Sequence, residues 1–271
     1  MSLYYSAQEI DLLQKENKEV YAHSNFAFLN AHNGFRRGCM HILMGTTGSG
    51  KTTVVRTILR DMIFNKNNAL SIGVWLSEES LKDYKTQLSY SMPSVDKLKM
   101  TVAFSEVENS INEDFFFTWI RAHSLDVLII DNITTSQFYA SGTTGQESFA
   151  RKIKNITKEL NIITILVAHT DAHFLDNGDK LITPNDIRGN KTVPNMAEFF
   201  YGMQRFSIGN DFFPTIRLLK YRNQNVENLA FYLHYQKDIR AFISDKPIDF
   251  NQLKEAYDNR NNLRSRPGVK K

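Results

Sequence analysis

The sequence contains a single cysteine, Cys39, among its 271 residues. One thiol cannot form an intrachain disulfide, and it cannot build a cysteine-rich zinc site. No stretch of about 18 consecutive apolar residues is present, and the first residues lack the basic segment and apolar run of a secretory signal. We therefore expect a protein of the cytoplasm that has no membrane partner.

Charge and composition narrow the class of protein only slightly. Hydrophobic residues make up 42% and charged residues 23% of the chain, which is typical of a folded globular domain. The net charge of +4 permits contact with nucleic acid without requiring it. We predict one large domain over residues 36–245, preceded by a linker helix within 1–35 (helical pattern at 6–22) and followed by a basic, flexible tail over 246–271.

Short apolar runs alternate with helical patterns along the middle of the chain. Four runs are apolar on both faces and end in polar residues: 40–44, 71–76, 126–130 and 162–167. Helical spacing occurs between them and around them, over 52–64, 79–91, 112–123 and 146–160. This alternation predicts an α/β fold with a mostly parallel, twisted sheet and helices on both faces. Three later runs predict further strands with an antiparallel edge: 199–203, 215–219 and 230–235.

Residues 45–52 match the pattern of a glycine, four variable residues and Gly-Lys-Thr, placed between a strand and a helix. Glycines let backbone N–H groups turn towards phosphate oxygens, Lys51 reaches the β- and γ-phosphates, and the Thr52 hydroxyl ligates magnesium. The pattern predicts binding of ATP with Mg²⁺. We assign nucleotide contacts to this phosphate loop and the residue after it: Gly45, Thr46, Thr47, Gly48, Ser49, Gly50, Lys51, Thr52 and Thr53.

Polar residues at the ends of neighbouring strands extend the predicted site. Asp131 closes a strand and is the candidate magnesium ligand, whereas its rival Asp126 opens the same strand. Glu78 and Glu79 both follow another strand, where one carboxylate could activate water and the other could complement the next helix dipole. His169 ends a further strand and is either structural or a sensor of the γ-phosphate.

The order of these motifs resembles the RecA-like ATPase domain of hexameric replicative helicases, the DnaB family and the helicase half of phage primase-helicases. Residues 75–80 are similar to the family segment whose glutamate activates water, which would give that catalytic role to Glu78. The double glutamate is also similar to the clock ATPase KaiC. By the same resemblance Asp131 binds magnesium and His169 couples the nucleotide to DNA.

Two later segments add to the resemblance. Residues 218–222 are similar to the family's Leu-Lys-Asn-Arg segment, which implies that Arg222 is an arginine finger for the ATP of the adjacent subunit, with Lys220 beside it. The alternative is that both are solvated residues of a strand.

Residues 186–191 are similar to the family's Leu-Arg-Gly-Ser segment near the central channel. With the loops 141–145 and 170–184, they supply the predicted DNA contacts of four side chains: Lys180, Arg188, Asn190 and Lys191.

The resemblance implies a DNA helicase or translocase motor that acts as a homo-hexamer on single-stranded DNA and hydrolyses ATP between subunits. A separate primase or loader would act with it, because about 35 residues precede the predicted domain. Its location would be the host cytoplasm if a phage encodes it. The alternative is a RecA-like or KaiC-like ATPase that associates with DNA for recombination or regulation without unwinding it.

Overall fold

The computed structural model describes residues 20–21, 26–32, 34–64, 70–92, 101–109, 111–139, 142–171, 181–208, 211–222, 229–249, 251–252 and 255. A small antiparallel sheet pairs β1 (Val20–Tyr21) with β2 (Phe35–Arg36). Within the described residues the main sheet has nine strands: β3 (Met40–Gly45), β4 (Ile72–Leu76), β5 (Thr101–Ser105), β6 (Val127–Asp131), β7 (Ile163–His169), β8 (Phe199–Ile208), β9 (Asp211–Tyr221), β10 (Ala230–Gln236) and β11 (Ala241–Ile248). Their spatial order is β11-β10-β9-β8-β3-β7-β6-β4-β5.

The main sheet combines a parallel and an antiparallel part. The strands from β8 through β3 to β5 are parallel, and those from β8 to β11 are antiparallel. The carboxyl ends of β3, β4, β6 and β7 therefore lie along one edge, which we call the carboxyl edge. The opposite edge, where β3 begins, is called the amino edge. The predicted α/β fold with an antiparallel extension is confirmed.

Helices cover both faces of the sheet, as the apolar pattern predicts. Their bounds are α1 (Ala27–Asn30), α2 (Lys51–Phe64), α3 (Leu81–Ser91), α4 (Glu113–Ala122), α5 (Gly142–Glu159) and α6 (Val193–Met196). Leu43 of β3 joins the core cluster beneath α2 and α3, whereas Ile42 and Met44 join the cluster beneath α4 and α5. Successive residues of a strand point to opposite faces, so β3 is buried on both. Among the described helices, none is long and apolar enough to cross a membrane.

Several local predictions differ from the structure. β5 and β11 have no predicted counterpart, and β11 runs to Ile248, past the domain boundary predicted at residue 245. α5 begins at Gly142, so residues 142–145 form its first turn instead of a loop. Of the helix predicted over 6–22, only Val20–Tyr21 lie within the described residues, and they form β1.

The segment before the predicted domain contributes to its core. Phe26, Phe28 and Leu29 are buried in the cluster that also contains Phe242 of β11. The Asp245 carboxylate of β11 accepts hydrogen bonds from the backbone N–H groups of Ala27 and Phe28, at 2.5 and 2.7 Å. A carboxylate at a helix start satisfies N–H groups that the helix itself leaves unbonded. Residues 26–35 therefore belong to the folded domain.

A polar network is buried beneath this segment. The Tyr201 hydroxyl lies 2.6 Å from His32 Nε2 and 3.4 Å from His41 Nδ1, and all three side chains are nearly inaccessible to solvent. Burial lowers the pKa of His32 to about 4 and lowers the pKa of His41 well below its ordinary value. Both rings are neutral at pH 7, since a buried imidazolium without a counter-ion is strongly unfavourable.

Lowering the pH from 7 to 5 is expected to destabilise the fold through His32. Its folded pKa of about 4 lies below the value of 6.5 for a free histidine, so between these values only the unfolded chain binds the proton. The resulting penalty is small above pH 6.5 and grows to about 2 kcal/mol at pH 5. Urea unfolding of the wild type and of His32→Gln at both pH values measures it.

The comparison with His32→Gln is needed because Asp131 changes the stability of the fold in the opposite direction as the pH falls. Burial raises the pKa of Asp131 to about 6, so its protonation relieves a buried charge as the pH falls. The glutamine amide can still bond to the Tyr201 hydroxyl but does not titrate. The variant should therefore lose less stability than the wild type between pH 7 and pH 5, and an equal loss in both proteins would contradict the assignment.

Candidate nucleotide-binding site

The phosphate loop connects the end of β3 with the start of α2. A Cβ atom on Gly45 would lie 2.5 Å from the carbonyl oxygen of Met203, and Gly50 has a φ of +101°, so larger residues would distort the loop at both positions. Thr47 and Gly48 are exposed at the loop tip, whereas Ser49 is buried below it. The N-terminal N–H groups of the 14-residue helix α2 face this loop, which favours an anion.

Lys51 holds a buried positive charge at the centre of the loop. Its side chain is nearly inaccessible, and Nζ donates to the Thr46 carbonyl oxygen at 2.9 Å and to His169 Nδ1 at 3.4 Å. Burial lowers the pKa of Lys51 to about 8, and the charges of Asp131 and Glu78 offset part of that shift. An anion bound in the loop would compensate the buried ammonium, so the residues fit a phosphate.

Asp131 and Thr52 meet at the carboxyl edge beside Lys51. Asp131 pairs with Leu76 at the ends of two parallel strands, and the Thr52 side chain lies close enough to its carboxylate to influence its pKa. Burial raises the pKa of Asp131 to about 6, against the lowering effect of Thr52, Arg56 and Lys51. A buried carboxylate next to a hydroxyl is an oxygen donor set that suits Mg²⁺.

The described residues contain no group of three or more His, Cys, Asp or Glu side chains that could hold a metal alone. Magnesium at such a site would therefore depend on phosphate oxygens and water as further ligands. The rival aspartate, Asp126, lies at the amino edge, where its carboxylate pairs with Arg37 and accepts from the Ser71 N–H at 2.8 Å. Its role is structural.

The two adjacent glutamates have different partners. The Glu79 carboxylate forms an ion pair with Arg56 of α2, whereas Glu78 Oε1 lies 3.1 Å from His169 Nε2. The hydrogen bond from His169 is the main cause that lowers the pKa of Glu78, so this carboxylate is ionised at pH 7. Ser80 caps α3 by accepting from the Asp83 N–H. The helix start is thus capped without either glutamate, and Glu78 is the one that faces the phosphate loop.

His169 connects the phosphate loop with Glu78. It pairs with Gly45 at the ends of β7 and β3, and its Nδ1 lies 3.5 Å from the Thr47 hydroxyl oxygen. Because the Lys51 ammonium can only donate, Nδ1 acts as the acceptor and the Nε2–H group donates to Glu78. The structure thus brings together Lys51, Thr52, Asp131, Glu78 and His169 at the carboxyl edge.

Lys220 and Arg222 lie at the opposite edge of the sheet from the phosphate loop. Tyr221, between them, pairs with Phe199 at the start of β8, and the Arg222 N–H donates to the Glu198 carbonyl oxygen at 3.0 Å. This is the amino edge, separated from the phosphate loop by the six residues of β3, about 20 Å. The structure therefore does not bring Arg222 or Lys220 to the phosphate loop of the same chain.

The predicted DNA contacts are unequally exposed. Arg188 and Lys191 have exposed side chains, and Lys191 pairs with the Asp171 carboxylate. Asn190 is buried. Its amide donates to the Thr143 carbonyl oxygen, and its Oδ1 accepts from the Thr192 N–H. The Asn190 side chain therefore serves packing and is not free to bind a ligand. Lys180 lies outside the described residues.

A cleft beside the phosphate loop was not predicted from the sequence. Its volume is about 300 Å³, and α2 and the antiparallel strands line it: Gly50, Thr53, Arg205, Pro214, Tyr235 and Phe242. The Tyr235 ring is 42% exposed and lies edge-on to Phe242, with 5.3 Å between ring centroids. Side chains from five separate elements build this cleft, so no local motif marks it.

Comparisons with known proteins are informative at the level of the fold. No protein-family model matches the chain, and no curated protein is significantly similar to it in sequence. A solved KaiC-like protein from the hyperthermophilic archaeon Pyrococcus horikoshii is similar in structure, with a TM-score of 0.58 and 16% sequence identity over 78% of this chain and 91% of that chain. The chain therefore has a RecA-like α/β fold.

Proposed function

We propose that this protein is a magnesium-dependent ATPase whose active site is completed by a neighbouring subunit. The observation that carries the proposal is the position of the candidate residues. Lys51, Asp131 and Glu78 converge at the carboxyl edge, whereas Arg222 lies at the amino edge. An arginine at that edge could reach a phosphate loop only in another copy of the chain.

Within one subunit, each residue has a chemical role in the proposed reaction. Lys51 binds the β- and γ-phosphate oxygens, and Thr52 and Asp131 hold magnesium. Magnesium held by Thr52 and Asp131 would supply positive charge that neutralises part of the charge of the phosphates. Glu78 orients the attacking water and accepts its proton, while the bond between the γ-phosphorus and the β–γ bridging oxygen breaks. His169 contacts both Lys51 and Glu78, so it can sense the γ-phosphate.

The neighbouring subunit supplies Arg222, and Lys220 beside it, to the charge that develops on the γ-phosphate. Such an interface is head-to-tail, because different surfaces of the two copies meet, and it generates a ring or a filament. We favour a ring of six subunits, by resemblance to the replicative helicases. Hydrolysis then depends on assembly.

The activity we propose first is translocation on single-stranded DNA, with or without strand separation. Two observations support it. Arg188 offers exposed positive charge for phosphate contacts, with Lys191, which is paired with Asp171, close to it in sequence, and the Arg188 N–H donates to the His169 carbonyl oxygen at 2.9 Å. The nucleotide sensor and this candidate DNA segment are thus directly bonded, which would let the state of the nucleotide move the DNA contact.

The second candidate is a KaiC-like or RecA-like ATPase that acts without unwinding DNA, and the fold supports it equally. Three measurements separate the two: ATP turnover with and without single-stranded DNA, the mass of the assembly by light scattering, and strand separation on a forked duplex. Stimulation by DNA in a hexamer together with unwinding supports the helicase. Turnover that ignores DNA would overturn it and leave the second candidate.

We further propose that the cleft beside the phosphate loop holds the base of the nucleotide. It opens next to Gly50 and Thr53, where a base attached to a triphosphate in the loop would lie, and it offers Tyr235 for stacking and Arg205 as a cation. Tyr235→Ala is expected to weaken ATP binding about fivefold to a hundredfold, since stacking on an aromatic ring contributes about 1–3 kcal/mol. Titration with a fluorescent ATP analogue measures it.

Tyr90→Ala is the matched control for this change. Tyr90 is 43% exposed, against 42% for Tyr235, but it lies on α3 under the guanidinium of Arg240 and is not among the residues that line the cleft. The affinity of this control should stay close to that of the wild type. Equal affinities for Tyr235→Ala and wild type would show that the base binds elsewhere.

A further inference from the structure

Three cationic side chains converge on the end of the short helix α6 at the amino edge: Lys154 of α5, Lys220 of β9 and Arg222, which follows β9. Lys220 Nζ donates to the Pro194 carbonyl oxygen at 2.8 Å, and Arg222 Nη2 donates to that of Asn195 at 2.7 Å. Lys154 of α5 donates to the next carbonyl oxygen, that of Met196. The carbonyl groups at the end of a helix are unbonded within it and carry partial negative charge, so they are suitable acceptors for cations.

Glu198 supplies the formal negative charge of this cluster. Its Oε1 lies 3.0 Å from Lys154 Nζ and 3.6 Å from Arg222 Nη1, and its Oε2 accepts from the Met40 N–H at 3.0 Å. The side chain is 16% exposed. The Met40 bond anchors the carboxylate at the start of β3, in the middle of the sheet. Glu198, bonded to β3, thus contacts Arg222 twice: its carbonyl oxygen accepts from the Arg222 N–H, and its carboxylate pairs with the guanidinium.

The segment that ends at Glu198 begins at the carboxyl edge of the same subunit. Ile187 pairs with Thr170, directly after His169, and the Arg188 N–H is bonded to the His169 carbonyl oxygen. The Val193 N–H then donates to the Asn190 carbonyl oxygen, which joins this stretch to α6. Residues 187–198 therefore connect the candidate γ-phosphate sensor at one edge with the anchors of Lys220 and Arg222 at the other.

From these contacts we propose that Glu198 and the carbonyl end of α6 position Lys220 and Arg222 for the active site of the neighbouring subunit. Glu198 is a positioning residue, since it acts through Arg222. This inference rests on the proposed function, in which Arg222 acts in trans. Without the carboxylate, three like charges would share only carbonyl acceptors, and mutual repulsion would displace the exposed guanidinium. Displacement by about 1 Å can lower turnover a hundredfold.

The test uses mixed assemblies in which each chain can play only one part. Lys51→Ala chains retain Arg222 but cannot bind the phosphates, and Arg222→Ala chains retain the phosphate loop but supply no finger. Random mixing places an intact phosphate loop against an intact Arg222 at about one interface in four. Turnover should therefore rise to about a quarter of the wild-type value. If the mixture stays inactive, Arg222 does not act in trans and the proposed function itself fails.

Glu198→Gln is then added to one partner at a time. In the Lys51→Ala chain, which donates the finger, it should lower the restored turnover about tenfold to a hundredfold. In the Arg222→Ala chain, which holds ATP, it should change little. Glu147→Gln is the matched control, because Glu147 lies on α5, is 36% exposed and pairs only with the exposed Arg151 among the described ion pairs.

Comparing the effect of Glu198→Gln in the two chains separates a positioning role of Glu198 from a general structural role. A loss of similar size in both mixtures, or in neither, would overturn the inference while leaving the trans action of Arg222 intact. If Glu198→Gln does not fold, Glu198→Asp takes its place and the outcomes have the same meanings, since aspartate withdraws the carboxylate by one methylene group.

Discussion

Replacing Arg222 by alanine is expected to lower ATP turnover about 10³-fold or more and to leave ATP binding close to the wild-type level. A cation delivered from a neighbour stabilises charge that develops only in the transition state, and the effect of such arginines lies at about 10³–10⁵ in turnover. The substitution removes no contact to the phosphate loop of its own chain, because Arg222 is bonded to Asn195 and Glu198 at the amino edge. Steady-state hydrolysis and equilibrium nucleotide binding measure the two effects separately.

Arg121→Ala is a matched control for the loss of an exposed, ion-paired arginine. The Arg121 side chain is 49% exposed and pairs with Glu159, whereas that of Arg222 is 45% exposed. The control should keep wild-type turnover. Normal turnover in Arg222→Ala would contradict its assignment as a finger and would leave Lys220 and Arg222 as solvated residues of the strand end.

Neutralising Glu78 is expected to have an effect of similar size. Glu78→Gln should lower kcat by about 10²–10⁴, because it would remove the carboxylate that we propose accepts the proton of the attacking water. Affinity for ATP should be retained, since Lys51 and the loop that bind the phosphates are unchanged. Single-turnover hydrolysis in the presence of magnesium, with binding measured separately, tests this prediction.

Glu79→Gln provides the matched comparison, one residue away and with the same chemical change. Glu79 is paired with Arg56 and faces α2, so its neutralisation should lower kcat less than tenfold. If Glu79→Gln is the more damaging of the two, the roles of the glutamates must be exchanged. Equal and modest effects would indicate that another group activates the water.

The central strands and the phosphate loop were predictable because local sequence determines them. β3, β4, β6 and β7 are buried on both faces, so each is a continuous apolar run that stands out from its surroundings. β5 and β11 are the two outermost strands of the sheet and are only partly buried, and β11 contains Pro247 among charged residues. Edge strands carry such residues, and the apolar signal is then lost.

The partners of individual side chains were not predictable in the same way. Glu78 and Glu79 are neighbours in sequence and equivalent in chemistry. They differ because Arg56 of α2 bonds to one and His169 of β7 bonds to the other. Asn190 looked like a polar channel residue but is turned inward by Thr143 and Thr192. Such differences depend on contacts between elements that are far apart in the chain.

The most direct test is ATP turnover per chain, measured over a range of protein concentrations together with the mass of the same samples by light scattering. A site completed by the neighbouring subunit predicts that dilute monomers hydrolyse little ATP and that turnover per chain rises with the assembled fraction. Arg222→Ala should assemble without that rise. Full turnover by monomers, or no magnesium-dependent hydrolysis at any concentration, would contradict the shared active site.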